Sequence, residues 1–210
     1  MHCKDELMIY GQALLQRGLV WGSSGNVSSR ADGNTFIISA SGADLGLLLD
    51  DDLIPCKIDR KSHEGLRQPS MEVDLHRNIY RACAEANAVI HSQPFYSTLA
   101  ACSGIDIRVD LIPESMAYLR RLARVPYHHA GSTELADAVA AAAAESRVLI
   151  LNNHGVVCWG SSLGEAFIAT ETLELLCRMT VAARAGDIDM NYLGEGTMRD
   201  FIDNVEGYGR

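Results

Sequence analysis

Residues 147–160 read RVLILNNHGVVCWG. A strongly β-prone apolar run, RVLILNN, stops at His154-Gly155, and VVCWG follows as its return, so the stretch predicts two strands paired across a turn. A hairpin of this kind points to an antiparallel sheet. Residues 26–41 repeat the pattern, with NVSSR and TFIISAS flanking ADGN, whose Asp32-Gly33 is a hairpin signal. LIPCKID at 53–59 predicts a third strand, and AVIH at 88–91 is a short apolar run leading into the helical FYSTLAACSG.

Helical spacing accounts for the rest. Asp5–Arg17 carries apolar residues at helical intervals and ends at Gly18, and Ser70–Glu85 has a similar pattern. AVAAAAAES is an alanine-rich helix with Gly131, Ser132 and Thr133 near its start. The long segment Ser162–Ala185 opens on Ser162 and Glu165 as a capping box and closes before Gly186. Strand pairs alternating with helices predict an α/β layered domain with a largely antiparallel sheet.

At 210 residues the chain suits one domain, and 48% hydrophobic against 21% charged residues is an ordinary globular composition. The formal charge of −9 repels phosphodiester backbones and anionic lipid, so neither nucleic acid nor a membrane is expected as a partner. A small anion remains compatible with a local nest of backbone amides. The six cysteines are scattered without a CxxC pair, which fits a reducing, cytoplasmic compartment. The start MHCKDELMIYGQ has no apolar core of an export signal, and no run approaches the roughly 20 apolar residues of a membrane span.

Four segments place polar groups at the ends of apolar elements. GSSGN (22–26) and ISASG (38–42) are small-residue loops that serve either as plain turns or as anion nests, with Asn26 adding donors. In PSMEVDLH (69–76) Ser70 can cap a helix and Glu72 falls in its first turn. There the carboxylate is either a favourable charge at the helix dipole or a general acid/base aimed into a cleft, and His76 shares its face. His91 and His154 each close an apolar strand. Such a histidine is either hydrogen-bonded structure or a metal ligand, and strand period two puts Gln93 on the same face as His91.

Taken in order, GSSGNVS, ISASG, PSxE followed by His76, VIHSQPFYST, VPYHHAGSTEL and the Asn153-His154-Gly155 turn resemble the class II aldolase/adducin family over Leu7 to about Leu193. The resemblance implies a single three-layer α/β domain over residues 1–210, with a mainly antiparallel central sheet flanked by helices. It implies Glu72 as catalytic acid/base and a divalent ion, Zn2+ or else Mn2+, held by His91, position 93 and His154. It also implies a substrate and phosphate pocket from Asn26, Ser41, Gly42 and Ser70. Two positions depart from the family pattern: Gln93 stands where the family usually has His, and Met71 where a phosphate-binding variant has Ser. An amide oxygen is a weaker zinc donor than imidazole and favours a harder ion.

The function this implies is a metal-dependent lyase that cleaves a carbon–carbon bond of a small sugar or sugar acid, phosphorylated or not, through an enediolate. The alternatives are decarboxylation of a 3-oxo sugar acid at the same site and a non-catalytic, adducin-like interaction protein. The run DMNYLGEGTMRDF resembles the decarboxylase members. The family further implies a homotetramer with sites at subunit interfaces, where Tyr118, Tyr127 and Tyr192 are the candidate contributing tyrosines.

Overall fold

The structure is a computed structural model that describes residues 3–204. In chain order the elements are α1 (Cys3–Gln16), β1 (Asn26–Arg30), β2 (Thr35–Ser39), β3 (Leu53–Lys57), α2 (Val73–Ala82), β4 (Ala88–Ser92) and α3 (Phe95–Ala101). Then follow β5 (Leu122–Val125), α4 (Thr133–Ala143), β6 (Val148–Leu151), β7 (Gly155–Gly160), α5 (Leu163–Ala185) and α6 (Glu195–Asn204).

The strands form one seven-stranded sheet in the order β3-β2-β1-β4-β7-β6-β5. Every pairing is antiparallel except β5 with β6. The mainly antiparallel α/β sheet expected from the hairpins is therefore present, and helices cover it. Alternation along β6 shows both faces buried: Leu149 and Leu151 join a core with Val139 of α4, while Val148 and Ile150 join one with Leu173 and Leu176 of α5. Pro55 is accommodated because β3 is an edge strand, where a missing amide costs no ladder bond.

Both hairpins form where the sequence places them. The 147–160 turn closes with Asn153 at φ +56°, a left-handed conformation that Asn tolerates, and His154 N donates to Leu151 O at 3.0 Å. Ser162 caps α5 by accepting from Glu165 N at 3.2 Å, but the Glu165 carboxylate turns back one residue further than in a capping box, to Ser161 N at 2.9 Å.

Three features depart from expectation. β5 is a four-residue strand, LARV, too short for its alternation to stand out; its one arginine, Arg124, is held by Ile105 O at 2.6 Å and Asn152 Oδ1 at 3.2 Å. α6 is a ten-residue helix with no fully buried residue; its apolar Met198, Phe201 and Ile202 share one face and are half-buried. The helix expected over Ser70–Glu85 shortens to Val73–Ala82. Its first residues are diverted into pairing with the end of β2: Ser70 N donates to Ser39 O at 3.1 Å, and Ala40 bridges Pro69.

Candidate active site

The shortened α2 decides how Glu72 is presented. Ser70 does not cap the helix; its Oγ accepts from Glu72 N at 3.2 Å, and Glu72 itself occupies the N-cap position at φ −97°, ψ 18°. Glu72 is thus one residue short of the expected first turn, and its side chain does not satisfy the helix end. The carboxylate, 6% exposed, turns inward instead.

Sheet register supplies its partners. Asn26 of β1 pairs with His91 of β4, and His91 pairs with Val157 of β7, so the ends of three neighbouring strands meet beneath Glu72. Two glycines let the backbones close up: a Cβ on Gly25 would lie 2.6 Å from His91 O, and one on Gly155 2.6 Å from Ser92 O and 3.0 Å from Gln93 Cγ. Gly155 brings His154 beside His91, with ring centroids 4.8 Å apart. On the far side, Glu174 of α5 accepts from Tyr96 N, Ser97 N and Ser97 Oγ at 3.0, 2.8 and 2.7 Å, which anchors α3 just after Gln93.

Glu72 Oε2 lies 3.1 Å from His91 Nε2, and Oε1 lies 3.3 Å from His154 Nε2. His91 Nδ1 donates to Val156 O at 3.0 Å, which leaves Nε2 facing the carboxylate. A carbonyl accepting from Nδ1 fixes the tautomer and orientation of the ring, as metal-binding imidazoles require. Gln93 Nε2 is 2.7 Å from the same His91 Nε2. One nitrogen cannot suit both an anionic oxygen and an N–H donor; the conflict is resolved when the Gln93 amide turns its oxygen inward and a positive charge, either a proton on His91 Nε2 or a cation, lies between the groups. Glu72 Oε1, Gln93 Oε1 and His154 Nδ1 are buried without hydrogen-bond partners.

Electrostatics follow from the geometry. Burial pushes the Glu72 carboxyl up, but the neighbouring His91 and His154 outweigh it and hold Glu72 well below the usual carboxylate range. Burial pushes His91 down, yet Glu72 and the Val156 carbonyl leave it raised, whereas burial together with His91 lowers His154. Ligand atoms of Glu72, His91 and His154 all lie within 4.8 Å of one another, so the residues present fit a small divalent ion.

Asn26, 5% exposed, lies inside this cluster, where its Nδ2 donates to Glu72 Oε2 at 3.0 Å. His76 is fully buried, and its ring reaches the Glu72 carboxylate through Asn26, with Nε2 at 2.5 Å from Asn26 Oδ1. Ser41 and Gly42 run beside Ser70, where Ser41 N donates to Gln68 O at 3.0 Å and Gly42 takes φ +71°. Tyr118 lies in a π-helical turn at Ser115–Leu119, Tyr192 beneath Arg108, and Tyr127 is exposed with its hydroxyl on His129 Nδ1 at 3.1 Å. Within the chain none of the three is bonded to the cluster among the described residues. Ser28 and Tyr80, which complete the hydrogen bonding of His76, escaped the sequence reading; their spacing, two beyond Asn26 and four beyond His76, was the available signal.

Residues 5–181 match the family described as Class II Aldolase and Adducin N-terminal domain. The chain belongs to the class II aldolase and adducin family. Among class II aldolase relatives, the L-fuculose phosphate aldolase of Methanocaldococcus jannaschii is 36% identical over 178 residues, covering 85% of this chain and 95% of that protein. The 3-oxo-tetronate 4-phosphate decarboxylase of Cupriavidus necator is 30% identical and covers 95% and 94%. The solved structure of YgbL from Escherichia coli superimposes with a TM-score of 0.88 at 28% identity, covering 95% of this chain and 97% of that one. Among the described residues no helix is long and apolar enough to cross a membrane.

Proposed function

We propose that the protein is a divalent-metal-dependent lyase acting on a small phosphorylated sugar, by retro-aldol cleavage. The observation that carries this reading is the Glu72 carboxylate set between two imidazole Nε2 atoms, with an orphaned Gln93 oxygen beside them. His91, Gln93 and His154 would hold the ion, Zn2+ in first place and Mn2+ in second. Bound there, it would act as a Lewis acid that stabilises negative charge on a substrate carbonyl oxygen.

Glu72 is the acid/base. Held ionised, it starts as a proton acceptor, and because Asn26 occupies Oε2, Oε1 is the oxygen that takes up and returns the proton beside the carbonyl. Ser41, Gly42 and Ser70, with the second N–H of Asn26, form the pocket for the substrate phosphate, and Met71 contributes no hydroxyl to it. The same arrangement serves loss of carbon dioxide from a 3-oxo acid, and this second reading is favoured by the decarboxylase relative, whose match covers 95% of the chain. A homotetramer is part of the proposal. Trp21, Met71, Phe95 and Tyr127, 66%, 69%, 69% and 54% exposed, form apolar surface that assembly would cover.

The test is incubation of metal-loaded protein with L-fuculose 1-phosphate and with 3-oxo-tetronate 4-phosphate, following released aldehyde and carbon dioxide. Aldehyde from the ketose phosphate is expected; carbon dioxide alone would select the second reading, and neither product would sink both.

Gln93→His tests the departure at the metal site. Imidazole is the better zinc donor, so Zn2+ affinity should rise by about tenfold or more while turnover falls, because a less electrophilic ion polarises the carbonyl less. Increased turnover would mean that Gln93 weakens the site instead of tuning it.

A further inference from the structure

Behind Glu72 and Asn26 runs a line of buried polar side chains, His76, Ser28 and Tyr80, that the proposed chemistry does not use. Tyr80 OH lies 2.7 Å from Ser28 Oγ, which lies 2.6 Å from His76 Nδ1. His76 Nε2 is 2.5 Å from Asn26 Oδ1, and Asn26 Nδ2 is 3.0 Å from Glu72 Oε2. Ser28 and His76 are 0% exposed, Tyr80 3% and Asn26 5%. The line exists because Asn26 and Ser28 share a face of β1 at period two, and His76 and Tyr80 share a face of α2 at i,i+4.

The direction of every bond follows from its end. A carboxylate only accepts, so Asn26 must present its NH2 to Glu72 and its carbonyl to His76. His76 Nε2 must then carry the hydrogen. Burial, with His91 nearby, pushes the His76 pKa down to about 3, so the ring is neutral and Nδ1 is a lone pair. Ser28 must donate to Nδ1, and its oxygen accepts from Tyr80. A flipped Asn26 amide would set two oxygens 3.0 Å apart.

We propose that His76 is a positioning residue, and that Ser28 and Tyr80 act through it to lock the Asn26 amide so that it holds Glu72 by Oε2 and leaves Oε1, which accepts no hydrogen bond, as the oxygen for proton transfer. The proposal rests on Glu72 as the acid/base. Packing alone would need polar partners for His76 but no particular tautomer.

Two measurements test it. In metal-free protein labelled with 15N-histidine, His76 should show a pyrrole-type Nε2 and a pyridine-type Nδ1; the reverse tautomer or a charged ring overturns the proposal. Ser28→Thr and Ser28→Val have the same shape, so any crowding cancels between them, and only the first keeps the hydroxyl. Relative to Ser28→Thr, Ser28→Val should lose His76 tautomer purity and protection of the Asn26 side-chain amide. Its kcat should fall on the order of 10- to 100-fold with bound metal unchanged.

Equal kcat in the two metal-loaded variants overturns the positioning role. If the wild type turns over neither substrate, the lyase reading has failed, and the hydrogen-bond chain is judged on tautomer and amide protection alone. Equal values in the two variants then overturn it. Should neither Ser28 variant fold, the wild-type tautomer and Tyr80→Phe decide: Tyr80→Phe should lower amide protection in the same direction, and unchanged protection overturns the proposal.

Discussion

Replacing His91 or His154 by alanine is expected to strip the protein of its divalent ion and lower turnover by roughly a thousandfold or more. A Lewis acid contributes several kcal/mol to a charged transition state, and each 1.36 kcal/mol is about tenfold in rate. Metal content of the purified variants, with turnover at saturating substrate, checks this. The two variants should differ in stability: His91 is 0% exposed and anchored to Val156 O, whereas the His154 side chain is 16% exposed. A folded variant that keeps stoichiometric metal would remove that histidine from the ligand set.

The same site carries a pH signature. Imidazoles bind metal only when neutral, so protons compete with the ion. His91 is raised above the ordinary value of 6.5, so the competition begins at higher pH than for a free histidine. Affinity should fall on acidification from above that value, and metal uptake should release a proton.

Glu72→Gln is the second large effect, expected to lower kcat by about 10²- to 10⁴-fold, the range for a positioned acid/base. Gln preserves shape and leaves His91, Gln93 and His154 in place, so bound metal should be retained. Metal analysis beside the kinetics separates the roles. Lost turnover with retained ion identifies the proton carrier, whereas joint loss would make Glu72 chiefly a ligand, as its contacts with both imidazoles also allow.

Much of this protein was legible in order along the chain. Hairpins at 26–41 and 147–160, the cap at Ser162 and the stop at Gly186 are set by neighbouring residues, through period-two alternation and terminal hydrogen bonds. β5 and α6 lack such strong signals: one is a strand of only four residues, the other a ten-residue helix with no fully buried residue. Ser70 and Glu72 show where local reading falls short. Their spacing suits a helix start, but pairing of Ser70 with Ser39 delays the helix to Val73 and swings the carboxylate inward.

The sequence by itself determined most of the elements, the turn residues and the main groups able to carry chemistry. Tertiary structure alone decided which of them meet. His91 and His154 come together because β4 and β7 are sheet neighbours at one register, Asn26 joins them because β1 pairs on the other side, and the inward turn of α2 brings Glu72 over all three. Strand order and register are products of long-range packing, and a one-residue slip of β1 or β4 would send Asn26 or His91 to the opposite face.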